Sequence, residues 1–348
     1  MSGGAGEQGS GGDGEWRTEL AESVTAGRAA ELHQASLVFD GHCDTILRVV
    51  DGEGRLGERS DAGHVDLPRL REGGVDAQVF ACCVGGPAVE QPLVSFLRMA
   101  DALHAEIEAN PSDLVFALRA GDVAQAHHNG KIACILSMEG ADPLEGDLSV
   151  LRSVYRLGLR NLGLVWSGRN ELGSAVFGEG IDDDGLSDFG RATVREANRL
   201  GVMVDVSHLN EAGFWDVIDI TEKPVVASHS NARKLHDHPR NLWNEQIQAI
   251  AEAGGLIGVV FTFLTEDRTT ATRDDVLDQI DYLVDLVGPA HVGLGSDFDG
   301  IKHTPAGLED VSRMPAITRG LLERGYGDED IVRVLGGNWL RVFREVAG

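Results

Sequence analysis

The residues of this 348-residue chain best suited to chemistry are histidines and carboxylates that follow short apolar runs. In the first run, "LVFDGHCD", His42 and Asp44 stand two positions apart with Cys43 between them. Because side chains alternate along a strand, we expect His42 and Asp44 to share one face and Cys43 to point the other way. Later runs end in further residues of these types: Glu139, His208, His229, Asp297 and Asp299. Histidine nitrogens and carboxylate oxygens are typical ligands of divalent metals, with zinc as the default.

So many polar residues at successive strand ends are difficult to explain as structural hydrogen-bond partners. Burying several uncompensated carboxylates would cost on the order of several kcal/mol each, and divalent cations would offset that cost. The set also exceeds the four ligands that one tetrahedral zinc needs. Two ions bridged by a carboxylate and a hydroxide would use the set better. The sequence therefore predicts a dinuclear metal centre.

The runs that carry these residues alternate with segments of helical period, such as "DDVLDQIDYLVDLVG" and "SDFGRATVREANRLG". Near-continuous apolar strands alternating with helices predict a parallel sheet covered on both faces. Eight such runs, from "LVFDGHCD" to "VGLGSDFDG", fit a (β/α)8 TIM barrel, in which all strand ends converge on one face. A doubly wound open sheet is the alternative, but no GxGxxG or GxxxxGK(S/T) motif follows an early strand to support a nucleotide-binding version.

Composition and charge limit the possible domain organisation and the possible binding partners of the chain. Residues 1–14 are rich in glycine and are expected to be a disordered tail, followed by one catalytic barrel domain over 15–348 whose first helical stretch runs from Glu15 to about His33. The net charge of -26 argues against a nucleic-acid or acidic-membrane partner. No apolar window is long enough for a transmembrane helix. The four cysteines lie in apolar runs with no CxxC spacing and are expected to be buried free thiols in a reducing cytoplasm.

Several stretches in order along the chain resemble the membrane (renal) dipeptidase family of zinc peptidases, which are amidohydrolase-like barrels. They include "DGHCDT", "SMEGADPL", "GVMVDVSHLN", "PVVASHSNAR", "HPRNLWNEQI", "VGLGSDFDG" and "GGNWLRVF". The resemblance runs from about Leu37 to Arg344. It is specific because related deaminases and phosphotriesterases open with HxH, whereas this chain opens with HxD. The resemblance implies a metallo-dipeptidase of the membrane dipeptidase type, with a dipeptide as its substrate. A homodimer is one assembly that would be compatible with it.

The resemblance also implies a role for each site residue. His42 and Asp44 would bind a first Zn2+ ion, His208 and His229 a second, and Glu139 would bridge both together with a hydroxide. Asp297 would shuttle protons beside that hydroxide and contact the substrate. Asp299 stands where the sequence predicts the start of a loop, so it would either support the site without touching the reacting atoms or order that loop. Arg240 would pair with the free carboxylate of the dipeptide, since a guanidinium binds a carboxylate through two parallel hydrogen bonds.

The chain departs from the family pattern at Trp166 in "LVWSGRN", where many members have a histidine that contacts the substrate carbonyl. An indole donates one hydrogen bond but does not ionise near neutral pH. Trp166 is therefore either a substrate contact or a wall of the pocket, and the preferred dipeptide stays open, including the L-Xaa-D-Xaa class. Two other functions also stay open: hydrolysis of another amide, lactam or lactone, and a non-enzymatic metal-binding scaffold.

Overall fold

The computed structural model describes residues 25–86 and 89–348, and a closed barrel of parallel strands forms their centre. The described strands are β1 (Phe39–Cys43), β2 (Ala77–Cys83), β3 (Leu114–Phe116), β4 (Ile132–Glu139), β5 (Leu159–Gly163), β6 (Met203–Asp205), β7 (Val225–Ala227), β8 (Leu256–Val259) and β9 (Val292–Leu294). Eight of them close the barrel in the order β1–β2–β4–β5–β6–β7–β8–β9, and β9 pairs again with β1. This confirms the predicted (β/α)8 TIM barrel over the open doubly wound sheet.

Helices follow the strands and pack around the barrel. The described α-helices are α1 (25–35), α2 (Thr45–Val50), α3 (Leu67–Glu72), α4 (Pro92–Ala109), α5 (Ala120–His128), α6 (Leu148–Arg156), α7 (Asp188–Leu200), α8 (Glu211–Ile220), α9 (Asn244–Glu252), α10 (Arg273–Val287), α11 (Pro315–Glu323), α12 (Asp328–Val332) and α13 (Asn338–Ala347). Short 3-10 turns lie at Asp142–Leu144, Arg268–Thr270, Pro289–His291 and Val311–Arg313, and a π-helical turn at Arg333–Gly337 joins α12 to α13. None of the described helices is both long and apolar enough to cross a membrane.

The eight apolar runs of the sequence are the eight strands that close the barrel. The additional strand, β3, lies outside the ring and pairs with the first residues of β4, where Leu114 lies opposite Ile132. The remaining residues of β4 pair with β5 on that same side. β4 can serve both partners because it has eight residues, all of them buried.

The helical periods behave as predicted. In α10, Val276, Leu277, Ile280 and Leu283 are buried on one face, with Val284 and Val287 partly buried beside them. Gly201 caps the carboxyl-terminal end of α7 and adopts a left-handed φ of 81° that a glycine accommodates without steric cost. The tail predicted over 1–14 and the beginning of the helical stretch predicted from Glu15 lie outside the described residues.

The amino-terminal end of the barrel is closed by Trp339 from α13. Its indole stacks on Phe39 with ring centroids 5.4 Å apart, and its Nε1 donates a hydrogen bond of 2.8 Å to the Leu294 carbonyl. Glycine is needed at position 41 because a Cβ there would lie 2.0 Å from the indole. With this end filled by packed side chains, the opposite, carboxyl-terminal end is left to hold a site.

Candidate metal centre

The polar residues singled out at the strand ends meet at the carboxyl-terminal end of the barrel. His42 lies within β1, Glu139 is the last residue of β4, and Asp44 directly follows β1. His208, His229 and Asp297 lie two or three residues beyond the ends of β6, β7 and β9. Their ligand atoms form three overlapping groups, each within 4.8 Å: His42, Asp44 and Glu139; Glu139, His208 and His229; and His42, His229 and Asp297.

Glu139 occupies the centre of this cluster. One carboxylate oxygen, Oε1, lies 3.0 Å from His208 Nε2 and 3.4 Å from His229 Nε2. The other, Oε2, lies 3.6 Å from His42 Nε2, which in turn lies 3.6 Å from an oxygen of Asp44. Each oxygen of Glu139 therefore faces a different pair of partners, as a carboxylate between two cations would require.

A register shift in β1 explains how His42 turns toward the cluster. Phe39 packs in the barrel interior, whereas Cys43 packs in the layer between the barrel and its helices. Strict alternation would put positions 39 and 43 on the same face. The pairing of β1 with β2 slips by one residue between Asp40 and Cys43, and this irregularity reverses the alternation before the metal cluster.

We expect Cys43→Ser to retain the metal content of the wild-type protein. The Cys43 thiol is fully buried, lies 3.4 Å from the Thr45 hydroxyl oxygen and belongs to none of the three ligand groups. Metal analysis of the purified variant checks this, with circular dichroism as the control for folding. Loss of an ion from a folded Cys43→Ser protein would contradict the assignment of this side chain to the outer layer.

All three histidines are held in the orientation that a metal ligand needs. Each directs Nε2 into the cluster, while Nδ1 meets a partner on the other side of the ring. His208 Nδ1 lies 2.9 Å from the Trp166 carbonyl oxygen, and His229 Nδ1 lies 2.8 Å from the Ser228 hydroxyl. Such contacts fix the ring and the tautomer of a ligating histidine.

The charges of the cluster also favour a cation. Burial and the nearby Arg240 lower the pKa of His208 to about 4, and burial with the neighbouring His42 lowers the pKa of His229 well below its ordinary value. Both rings are therefore neutral near pH 7, with lone pairs free for a metal. Burial and the charge of Asp44 raise the pKa of Asp297 well above its usual range, and the opposing effects of His42 and Arg240 do not cancel this rise.

One buried atom points to the same conclusion. His42 Nε2 has no hydrogen-bond partner among the described residues, although the ring is only 1% exposed. Leaving a buried polar nitrogen unpaired costs about 1–3 kcal/mol, and a metal ion would satisfy it. The donor set, three imidazoles with three carboxylates, fits two divalent ions that share Glu139.

Asp297 and Asp299 have different surroundings although they are two residues apart. Asp297 lies in the cluster, with an oxygen 3.9 Å from His42 Nε2. Asp299 belongs to none of the ligand groups and accepts hydrogen bonds from the Thr45 hydroxyl at 2.7 Å and the His64 backbone N–H at 2.6 Å. Both residues have left-handed φ values, 63° and 68°, so the strand alternation that would place them on one face does not continue past β9.

Backbone strain concentrates at this site. Five non-glycine residues in the described part of the chain have positive φ, and four of them, His208, Phe263, Asp297 and Asp299, line the same cavity. Each such residue costs about 1–3 kcal/mol and persists only where the surroundings hold it in place. Strain of this kind clusters at sites where side-chain direction matters more than local stability.

A cavity of about 300 Å³ lies over the cluster and supplies room for a small ligand. Its walls include three aromatic side chains, those of Trp166, Phe177 and Phe263. The Trp166 side chain borders this cavity while its carbonyl holds His208. Cys83 also borders the cavity, which departs from the expectation that all four thiols are buried; it is the last residue of β2, the signal that could have placed it here.

Among the described residues that line this cavity, Arg240 is the one Lys or Arg side chain, and it could meet an anionic ligand. Its side chain is 4% exposed, and one guanidinium nitrogen, Nη2, donates to the His229 carbonyl at 3.1 Å. Its Nε has no hydrogen-bond partner among the described residues. Burial lowers the pKa of Arg240 to about 10, so the group stays charged near neutral pH.

A model of the family described as membrane dipeptidase (peptidase family M19) matches residues 26–348, nearly the whole described chain. The chain belongs to this family. Its relatives include the dipeptidase aclJ of Aspergillus oryzae, 39% identical over 299 residues, which cover 82% of this chain and 70% of aclJ. The dipeptidase verJ of Clonostachys rogersoniana is 33% identical, with 81% of this chain and 76% of verJ covered.

A solved structure extends the family comparison. The metallopeptidase of Rhodobacter sphaeroides, in complex with a phosphinate mimic of the dipeptide L-Ala-D-Ala, matches with a TM-score of 0.84 and 34% identity. The match covers 89% of this chain and 99% of that one. The membrane dipeptidase family and the cluster of His, Asp and Glu together indicate a dipeptidase that acts on small peptides with a metal cofactor.

Proposed function

We propose that this protein is a dinuclear zinc dipeptidase of the membrane dipeptidase type. The observation that carries the proposal is the position of Glu139, whose two oxygens face His42 on one side and His208 with His229 on the other. His42 and Asp44 would hold one ion, His208 and His229 the other, and Glu139 would contribute to both. The cluster, its cavity and the barrel that carries them would form one catalytic domain over 15–348.

The chain's own residues would handle the proton and the substrate. When bound, the two zinc ions would supply a Lewis acid and a hydroxide nucleophile near neutral pH. Asp297 would accept the proton of the attacking water and pass it to the leaving amine, since its carboxylate lies in the cluster, 3.9 Å from His42 Nε2. The aromatic walls would exclude bulk water from the scissile bond.

Arg240 would select a ligand with a free carboxylate. Its charged guanidinium is buried at the edge of the cavity with an unused Nε, and a carboxylate is the partner that fits a guanidinium best. The cavity has room for a dipeptide, and the L-Ala-D-Ala mimic bound by the R. sphaeroides relative makes the L-Xaa-D-Xaa class the first substrate to test. Trp166 would act as a wall of this cavity.

The cellular setting of the proposal follows from the thiols. Cys43, Cys82, Cys83 and Cys134 are all free in the structure. Unpaired cysteines are usual in a reducing compartment, so we place the enzyme in the cytoplasm as part of the proposal.

Metal analysis with a dipeptide assay tests the function directly. Protein saturated with zinc and freed of excess should contain two ions per chain, roughly 3.5 Å apart in an anomalous-scattering map. It should hydrolyse L-Ala-L-Ala or L-Ala-D-Ala, and a chelator should abolish the activity until zinc is restored. One ion or none in protein prepared with excess zinc would reject the dinuclear centre, and two ions without hydrolysis of any member of a dipeptide library would reject the activity.

Arg240→Ala should raise KM for a dipeptide by about 10²-fold or more while both metal ions remain bound. The estimate takes a buried charge-assisted pair as worth about 2–5 kcal/mol. The matched control is a dipeptide amide, which lacks the free carboxylate and should be hydrolysed about equally well by wild type and variant. Equal sensitivity of the acid and the amide to Arg240→Ala would instead favour a ring amide, lactam or lactone as the substrate.

A further inference from the structure

We propose that Ser228 is a positioning residue whose single hydroxyl orients one histidine ligand of each metal ion. The inference rests on the two-ion centre proposed above and goes beyond it, because it assigns a residue that binds neither the metal nor the substrate. Its consequence is that the two metal subsites share one hydrogen-bond acceptor, so a change at this hydroxyl weakens both.

The geometry places the hydroxyl between two rings. Ser228 directly follows β7 and is fully buried. Its Oγ lies 2.8 Å from His229 Nδ1 and 3.5 Å from His42 Nδ1. The two imidazoles lie close together, with ring centroids 3.9 Å apart, so a single oxygen can reach the same nitrogen of both.

Metal binding requires a protonation state in which both histidines can donate a hydrogen bond to the Ser228 oxygen. A histidine that binds metal through the lone pair of Nε2 carries its proton on Nδ1, which then needs an acceptor. A serine oxygen has two lone pairs and can accept from both Nδ1–H groups. Its own proton can point to the Ser207 hydroxyl, 3.5 Å away, so the hydroxyl can donate as well as accept.

Buried contacts fix the position of Ser228 itself. Its backbone N–H donates to Asp205 Oδ1 at 3.0 Å, and the same oxygen accepts the Ser207 N–H at 3.0 Å. The other oxygen of Asp205 accepts from the Asn161 side chain at 3.2 Å. The hydroxyl is therefore held by a network beneath the cluster and cannot follow a ring that moves.

His208, the third histidine of the cluster, does not share the Ser228 hydroxyl. Its Nδ1 meets the Trp166 carbonyl and has no contact with Ser228. Under the proposed assignment, Ser228 serves His42 of the first ion and His229 of the second, while His208 keeps its own acceptor. Removal of the hydroxyl should therefore weaken both ions without releasing every ligand of either one.

Zinc competition against a chelator tests the coupling in Ser228→Ala. We expect the affinity of both ions to fall by about 10–100-fold, the usual effect of removing a partner of a ligating histidine. Ser230→Ala is the matched control, since Ser230 is equally buried in the same loop but its hydroxyl has no hydrogen-bond partner among the described residues. It should leave both affinities within about twofold. Weakening of one ion only, or equal weakening in both variants, would overturn the inference.

A second test uses the wild-type protein and therefore does not depend on the folding of a variant. In zinc-loaded protein labelled with 15N-histidine, the nitrogen signals of His42 and His229 should both report a protonated Nδ1 and a metal-bound Nε2. An unprotonated Nδ1 on either ring would mean that Ser228 donates to it, which would overturn the shared acceptor. Two bound ions with this result would leave the proposed function intact, whereas fewer than two ions in wild type would reject the function and this inference together.

Discussion

Asp297→Asn should keep both metal ions and lower kcat by about 10²-fold to 10⁴-fold, the usual worth of a positioned acid–base group. The amide has the shape of the carboxyl group but cannot take a proton from the attacking water. KM should change much less, because the lost interaction belongs to the transition state. Steady-state kinetics on protein of measured zinc content check the result.

Asp299→Asn is the matched comparison for this prediction. The Asp299 carboxylate is occupied by the Thr45 hydroxyl and the His64 N–H, so an amide should mainly weaken the loop, by about 1–3 kcal/mol, and reduce kcat only mildly. A larger kcat loss in Asp299→Asn at equal metal content would move the proton shuttle to Asp299. If neither variant lowered kcat, the water would need another base and the proposed mechanism would have to be rebuilt.

The barrel could be predicted because its signal is long and repeated. Each apolar run that closes the ring is buried on both faces, which a parallel barrel requires of every strand. β3 escaped prediction because it has three residues and pairs only with the first part of β4, so its run is too short to stand out from the helix–strand connection.

The sequence could predict which residue types of the candidate site stand at the strand ends. It could not predict the local backbone conformation there. Cys43 lies in the outer layer as expected, yet simple alternation from Phe39 would have pointed it inward. The register shift that reconciles the two depends on how β1 pairs with β2, and a single sequence carries no sign of it.

Backbone atoms and long-range contacts were also beyond the sequence. The sequence singles out the side chain of Trp166, but the contact with His208 is made by the Trp166 backbone carbonyl. Every residue type has this group, so residue identity could not predict the contact. Ser228 stands beside His229 in the sequence, but its contact with His42 spans 186 positions. Such contacts arise from closure of the barrel, which brings distant strand ends to one face.

Glu139→Gln should reduce the affinity of both zinc ions by at least about 100-fold, the upper end of what even an indirect partner of a ligand costs. The reason is its central position, since the carboxylate lies within 3.6 Å of the Nε2 atoms of all three histidines. The substitution removes one negative charge that both ions would share while it keeps the shape of the side chain. Hydrolysis should fall with zinc occupancy. Chelator competition on the purified variant measures both affinities.

A matched change separates a shared ligand from an ordinary one. Of the three histidines, Asp44 shares a ligand group with His42 alone, so Asp44→Asn should weaken one ion and leave the ion at His208 and His229 near its wild-type affinity. If Glu139→Gln likewise lost only one ion, the carboxylate would serve a single metal and the bridge would be rejected. The two variants together therefore distinguish a dinuclear centre from two neighbouring sites, because a carboxylate that binds one ion alone does not connect the affinities of both.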